Sequence, residues 1–554
     1  MRIRGADIII RTLIDEGVKT VFGYPGGAVI DIYDALYDYK DQIRHIRTSH
    51  EQGATHAADG FARSTGKTGV VIATSGPGAT NTVTGIATAY MDSIPMVVIT
   101  GNASRSLIGK DSFQEIDIVG ITMPITKHNF IIRDVRYLQD TIRRAFMIAG
   151  SGRKGPVLID VPKDIMSELS EYEPKKTLEY EKNYENVSEK EIKEIAECIN
   201  KSKKPILYCG GGVTASGGFK ELRELIHKSN IPACNTIMGI GVLGYEDDLN
   251  LGMLGMHGRV SSNFAIAQCD LLIACGVRFS DRVALNTKKF AKNATIIHMD
   301  IDKSEIDKNV IADYGLVGDI KDMLTRLVPY IEEQKREAWL SEIKELRKED
   351  YIPEDSDEII KPHSVIQHIS KRLGEDMIFV TDVGQHQMWT AQYCGRTKPR
   401  SFLTSGGLGT MGYGYGAAIG AKIGNPDRPV VHITGDGSFN MNFNEILTAI
   451  NNGIKIITVV MDNSALGMVR QWQHLLYNDR YSATDVKQTT DYVKLAEALG
   501  AQGYSCKTFK EFTEAFEKAI AAPKSVVVEV KIDNDERVFP MIPAGGTVDD
   551  IIVE

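Results

Sequence analysis

A chain of 554 residues with 43% apolar and 25% charged side chains lies in the ordinary globular range and is too long for one hydrophobic core, which sets an expectation of about three or four domains at roughly 150 residues each. Its net charge of −9 would repel a phosphate backbone, and no basic stripe offsets it, so nucleic-acid binding is set aside. The apolar Ile8-Ile-Ile10 is broken by Arg11, no run approaches the roughly 20 residues of a membrane span, and the seven scattered cysteines form no CxxC pair; the expectation is a cytoplasmic protein without membrane segment, zinc cluster or disulfide framework.

In chain order, an amphipathic Ala6–Glu16 leads to a strand at Thr20–Gly23, a helix around Ile30–Tyr39, a strand at Ile43–Ile46 and a helix at Ala54–Ala62. Short β-rich runs follow at Val70–Ala73, Met96–Ile99 and Pro156–Ile159. This alternation predicts a parallel sheet wrapped by helices, closing a first domain at 1–168. Ser167–Asn186 is rich in Glu, Lys and Tyr and is read as a linker. Ser188-x-x-Glu191 predicts a capping box, and Pro205–Cys209, Asp270–Cys275 and Thr295–Met299 are strands of a central domain at 187–332. A charged helix around Ile331–Asp350 and a polar joint at Pro353–Glu358 precede a third alternating region from Met377 to Ile532, giving a domain at 358–554. The fold class expected is α/β, three domains of parallel sheets flanked by helices, with the first and last similar enough in size to be related in fold.

The sharpest local signal lies in the third region. The strand-like Val430–Thr434 runs into Gly435-Asp436-Gly437-Ser438, a helix is expected from about Asn442, and a second strand Ile456–Met461 ends at Asp462-Asn463. Alone, Gly-Asp-Gly is usually a turn. In a βαβ unit, however, both strand ends meet on one sheet edge, where Asp436 and Asn463 can share a magnesium ion through hard oxygens while the glycines admit a diphosphate. In the first region Ser49-His50-Glu51-Gln52 precedes a helix; by itself Glu51 is an ordinary partner for the helix amino end.

Together these runs resemble the thiamin-diphosphate-binding motif, and the nearest match is the acetohydroxyacid synthase (acetolactate synthase) catalytic subunit family. The resemblance spans about Gly5 to Gly546 through Tyr24-Pro-Gly-Gly27, His50-Glu-Gln-Gly53, Ala73-Thr-Ser-Gly-Pro-Gly-Ala-Thr-Asn81, Phe113-Gln-Glu115, Thr126-Lys-His-Asn129, Asp160-Val-Pro-Lys-Asp164, Asp382-Val-Gly-Gln-His386 and Pro540-Met-Ile-Pro543. It implies that Glu51 is the carboxyl that activates the cofactor's aminopyrimidine, that Gln114, Gly26, Phe113 and Lys163 surround the reacting centre, and that Gly409 accepts from the aminopyrimidine while Met411 wedges the cofactor into a bent shape. Gly384, Gln385, His386, Asp436, Gly437 and Ser438 would line the diphosphate. Asp436, Asn463 and the Ala465 carbonyl would hold magnesium.

Gly210-x-Gly212-x-x-Ala215 superficially fits a dinucleotide fingerprint, but no acid ends the next strand candidate, Ile231–Thr236, so a nicotinamide reading is weak. Leu254-Gly-Met-His-Gly258 and Gly276-Val-Arg-Phe-Ser-Asp-Arg282 instead resemble the family's FAD segments. The resemblance assigns FAD contacts to Arg153, Gly211, Asn235, Thr236, Leu254, Gly255, Met256, His257, Gly276, Val277, Arg278, Phe279, Ser280, Asp300, Ile301, Asp319 and Ile320. It assigns the second 2-keto acid to Arg282, Trp472, Met468 and Val469, with the indole favouring the extra methylene of 2-ketobutyrate. The activity it implies joins a two-carbon fragment of pyruvate to pyruvate or 2-ketobutyrate, at the branched-chain amino-acid branch point. A homodimer or tetramer is implied, since the family places Glu51 and the metal motif of one site on different subunits; a small regulatory subunit is left open. A flavin-using pyruvate oxidase, another 2-keto-acid decarboxylase or ligase, and a non-catalytic paralogue are the competing readings. The sequence departs from the family's usual pattern at Ser280, Asn102-Ala103 and Tyr415-Gly416.

Overall fold

The computed structural model describes residues 1–178, 187–356, 358–395, 398–486 and 489–553; residues 179–186 of the expected linker and Asp357 of the second joint lie outside them. Three six-stranded sheets dominate, and every ladder within them is parallel. The amino-terminal sheet comprises β1 Thr20–Gly23, β2 Arg44–Arg47, β3 Gly69–Ala73, β4 Met96–Asn102, β5 His128–Ile131 and β6 Pro156–Pro162, in the order β2-β1-β3-β4-β6-β5. The middle sheet, β7 Pro205–Cys209, β8 Ala233–Asn235, β9 Asn250–Met253, β10 Leu271–Cys275, β11 Thr295–Asp300 and β12 Tyr314–Val317, runs β9-β8-β7-β10-β11-β12. That is the doubly wound order, with its reversal between β7 and β10. The third sheet, β13 Ile378–Thr381, β14 Phe402–Leu403, β15 Val430–Gly435, β16 Ile457–Asp462, β17 Gln502–Cys506 and β18 Val526–Lys531, repeats the order of the first: β14-β13-β15-β16-β18-β17. The kinship expected of the first and last regions is therefore present in strand order.

Val- and Ile-rich strands buried on both faces explain these sheets, because a covered parallel sheet has no polar side. The first and third sheets share one apolar cluster, with Phe22, Ile46 and Val71 on one side and Ile378, Val380 and Tyr413 on the other. Helix α1 (Glu51–Thr65) and helix α2 (Gly414–Gly424) bring them together. A Cβ on Gly60 would stand 2.1 Å from the Ala417 carbonyl oxygen, and one on Gly420 would stand 1.8 Å from that of Ala57; only glycine permits this approach of two backbones. A buried polar tie reinforces it. Tyr413 donates its hydroxyl to Asp59 at 2.7 Å, Arg63 reaches Asp92 at 2.9 Å, and the Gly406 and Gly407 amides donate to Asp92. The segment 406–413 is thus fastened at both ends to the amino-terminal sheet's helices.

Two expectations shift in detail. The helix after β15 starts at Asp436, as α3 (Asp436–Asn442), and a second one, α4 (Glu445–Asn451), follows. Gly437 does not delay the helix, because first-turn amides have no intrahelical partner to lose. The charged helix of the second joint is confined to Glu337–Leu346 with a 3₁₀ turn at Arg347–Glu349. The capping box at Ser188 and Glu191 is reciprocal, as its spacing predicts. Among the described residues no helix is long and apolar enough to cross a membrane.

Candidate active site

Because β15 and β16 are adjacent and parallel, with Gly435 opposite Met461, Asp436 and Asn463 leave the sheet at the same edge. Asp436 is 1% exposed and its Oδ2 has no hydrogen-bond partner among the described residues. Burial, then the neighbouring Asp462 charge, pushes its pKa up to about 7. Asp462 goes the other way: burial opposes its charge, yet Lys531 Nζ at 2.5 Å holds it below the usual carboxylate range. A buried, unpaired carboxylate oxygen lacks a cation, so the donor set fits a hard divalent ion. Asn463 accepts from the Ala465 amide at 3.2 Å and donates to Gln385 at 3.2 Å. Between Asn463 and Ala465, Ser464 is held at φ 54°, a left-handed conformation for a residue with a Cβ; such an outlier belongs to a turn its surroundings over-determine.

Gly384 caps the helix Gln385–Tyr393, whose first turn carries Gln385 and His386. A Cβ on Gly435 would stand 2.9 Å from His386 Nδ1, and one on Gly467 would stand 1.9 Å from Gln385 Oε1. Both glycines are cradle positions rather than turns alone. His386 is buried, which lowers its pKa to about 4 and keeps the ring neutral, and its Nε2 has no partner among the described residues. Ser438 donates to the Val383 carbonyl at 3.0 Å, pinning the turn that leads into this helix. Asp382, beneath it, accepts from the Gly414 amide at 2.7 Å and lies 2.9 Å from His432 Nε2. The start of this helix is thereby tied to the segment carrying Gly409, at φ 71°, and Met411, whose methyl stands 3.8 Å from the Cβ position of Gly437.

The other expected residues gather at the carboxyl edge of the amino-terminal sheet. Glu51 opens α1, is 9% exposed, and accepts from Asn81 Nδ2 at 2.9 Å. Its Oε1 stands 3.2 Å from a Cβ built on Gly78, and Gly26 fits only because a Cβ there would meet Thr74 at 2.5 Å. Gln114 has φ 58° and packs its backbone on Gly76, while Phe113 beside it is 90% exposed and Lys163 is exposed. Among the described residues no hydrogen bond joins Glu51, Gln114 or Lys163 to the 384–386, 409–411 or 436–438 segments. Asn102, a departure from the family's pattern, donates to the buried Asp160 at 2.5 Å and accepts from the Ala103 amide.

In the middle sheet, Gly211, Asn235, Thr236, Leu254 to His257, Gly276 to Ser280, Asp300, Ile301, Asp319 and Ile320 all stand at or just beyond carboxyl ends of the six strands. At the reversal, a Cβ on Gly212 would meet Gly276 Cα at 2.6 Å, so the loops after β7 and β10 touch through glycine. Thr236 Oγ1 is buried without a partner among the described residues. Asp319 caps the helix Ile320–Leu327 through the Asp322 amide, and Arg153 crosses from the first unit to Asp302 and Glu305 at 3.1 and 2.7 Å. An edge of six open loops with a spare buried hydroxyl fits an extended cofactor such as FAD. Arg282 holds the segment before it, its carbonyl accepting from Met256 N–H, and its side chain is 65% exposed. Trp472 and Met468 are half-buried and Val469 is 50% exposed on helix α5 (Gly467–Tyr477).

Sequence reading missed Asn81, the linking role of Asp382, and Glu445. Asn81 stood inside a quoted run, but nothing in its spacing aims it at Glu51. Glu445 follows the Gly-Asp-Gly motif with no signal except its place at the start of a helix.

A parallel sheet edge offering an unpaired buried carboxylate, with a second sheet of the same order presenting Glu51, defines a class, and comparison with known proteins agrees. The descriptions "Thiamine pyrophosphate enzyme" N-terminal TPP binding domain, central domain and C-terminal TPP binding domain match residues 3–121, 192–327 and 382–530. The chain is 46% identical to the probable acetolactate synthase large subunit of Methanocaldococcus jannaschii, covering 99% of this chain and 95% of that one. It is 43% identical to the acetolactate synthase large subunit of Buchnera aphidicola subsp. Schizaphis graminum and 41% to the isozyme 3 large subunit of Escherichia coli K12, each over 99% of this chain and 98% of the relative. The chain is thus a thiamine pyrophosphate enzyme. Within that class it belongs to the acetolactate synthase large-subunit family.

Proposed function

We propose that this protein decarboxylates pyruvate and condenses the remaining two-carbon fragment with a second pyruvate or with 2-ketobutyrate, giving 2-acetolactate or 2-aceto-2-hydroxybutyrate for branched-chain amino-acid synthesis. The observation that carries this reading is the unpaired, buried Asp436 oxygen beside Asn463 at one sheet edge, in a chain matching acetolactate synthase large subunits from end to end. Bound thiamin diphosphate supplies the electron sink that lets the pyruvate carboxyl leave as carbon dioxide.

The chain's own residues do the rest. Asp436, Asn463 and the Ala465 carbonyl would hold Mg²⁺, neutral His386 and the Gly384–Gln385 backbone would line the diphosphate, and Met411 would pack against the cofactor. Glu51, oriented by Asn81, hydrogen-bonds the aminopyrimidine ring nitrogen and holds its proton there. Gln114, Gly26, Phe113 and Lys163 enclose the reacting carbon and exclude water. Arg282 pairs with the acceptor's carboxylate, and Trp472, Met468 and Val469 form its apolar wall. The loops at the carboxyl edge of the middle sheet would hold FAD, with Arg153 and Thr236 among its contacts.

The protein works as a homodimer or tetramer, in the cytoplasm, with domains at 1–168, 187–332 and 358–554. The 90% exposure of Phe113 in the single chain supports the dimer, because an apolar ring meant for the reacting centre needs a covering surface. The relatives' name "large subunit" supports a smaller regulatory partner. The test is incubation of purified protein with pyruvate, Mg²⁺, thiamin diphosphate and FAD, followed by product identification. Acetolactate is expected; hydrogen peroxide or acetaldehyde in its place would overturn the reading.

A further inference from the structure

Glu445 is fully buried at the start of α4, in the third unit, yet its carboxylate serves the first. Oε1 accepts from the His50 amide at 3.0 Å, and both oxygens accept from the Ser49 amide, at 3.2 and 3.1 Å. Thr448 donates its hydroxyl to Oε2 at 2.6 Å, and Ser49 Oγ donates to the Asn444 carbonyl at 3.0 Å. The next residue after His50 is Glu51. A Cβ on Gly53 would stand 2.2 Å from Glu445 Oε1, so the first turn of α1 is moulded around this carboxylate. The side before Glu445 is equally committed: Asn442, at the end of α3, donates to the Gly412 carbonyl at 2.6 Å, next to Met411.

Amide donors converging on a buried carboxylate form the strong class of hydrogen bond, and here they fix backbone rather than substrate. We propose that Glu445 is a positioning residue for the reaction: it clamps the 49–50 backbone and so sets where the Glu51 carboxyl stands against the aminopyrimidine. The inference rests on the role given to Glu51 above. It goes beyond that role by assigning the aim of the acid to a residue of the opposite half of the chain.

The test uses the full-length protein with Glu445→Gln and, independently, Gly53→Ala, which leaves Glu445 in place but drives a methyl into it. In the cofactor-free protein, amide hydrogen exchange in a peptide spanning residues 45–55 should accelerate at least tenfold in both variants. With thiamin diphosphate, Mg²⁺ and FAD, kcat should fall about 10- to 100-fold while KM for pyruvate stays within about threefold, the size expected of a misaimed group. Unchanged exchange, or kcat within twofold of the parent in both variants, overturns the proposal. So does a kcat loss matched by lost thiamin diphosphate binding or a collapsed melting transition in both. A parent protein that makes no acetolactate would instead overturn the functional reading, while the exchange result would still decide the clamp.

Discussion

The carboxyl edges of the first and third sheets share a strand order but differ in finish. At the third sheet, Gln385, His386, Asp436 and Asn463 are all buried, and Asn463 donates to Gln385 at 3.2 Å. At the first, Phe113 stands 90% exposed, Lys163 is exposed, and Gln114 packs against Gly76 at φ 58°. The difference teaches which half of the chemistry each edge performs. An anchor for a metal and a diphosphate has to be rigid before its ligand arrives, since unpaired charge cannot be arranged on arrival without cost. A surface that admits substrate and then covers it is finished by another surface.

That comparison can be broken most decisively at Glu51. Glu51→Gln should cut kcat about 100- to 1000-fold, the range of a lost general acid or base, without shifting the melting temperature or FAD absorbance; unaltered turnover would remove Glu51 from its role. A smaller effect asks whether the first edge is as firm underneath as it is open on top. Asp160, 1% exposed below it, has its pKa raised to about 6 by burial, with Asn102 and Thr100 opposing. A folded pKa above the unfolded value gives stability that is complete below about pH 4 and lost as pH rises to about 6. Asp160→Asn removes that loss, so urea melts should show the variant gaining about 2–3 kcal/mol on the parent between pH 4 and 6.5. A flat difference would mean that Asp160 does not titrate in that window.

Phe113→Ala sharpens the contrast directly. An exposed ring contributes little to a single chain, so the melting temperature should hold within about two degrees while kcat drops about tenfold. A large drop in melting temperature with activity intact would show the ring to be structural. The smallest effect belongs to Trp472→Leu, which should lower the preference for 2-ketobutyrate over pyruvate severalfold in a competition assay, in line with about 1 kcal/mol of apolar contact. An unchanged product ratio would take the indole out of the acceptor pocket.

Much of this was legible in sequence because chemistry and local geometry coincided there. Gly435-Asp436-Gly437 and Asn463 announced themselves through flanking Val- and Ile-rich strands, whose parallel pairing fixes where both ends emerge. The Ser188 capping box was legible for the same reason: its partners are three residues apart. Glu445, Asn81 and Asp382 were not, since each acts on a backbone or side chain brought near only by packing of separate elements. The helix from Asp436 was placed late because a glycine in a first turn looks like a break when its unpaired amides are not considered. Asn102 looked like a mere departure from its relatives; the structure shows a short amide reaching a buried acid.

The repeated strand order has a mechanical meaning as well. One arrangement of six parallel strands occurs at both ends of the chain around a sheet wound differently, so both outer units present their strand ends in the same relative order. The glycine-lined helices α1 and α2 are where these two units meet, so one methyl at Gly60 or Gly420 would push on both sheets at once.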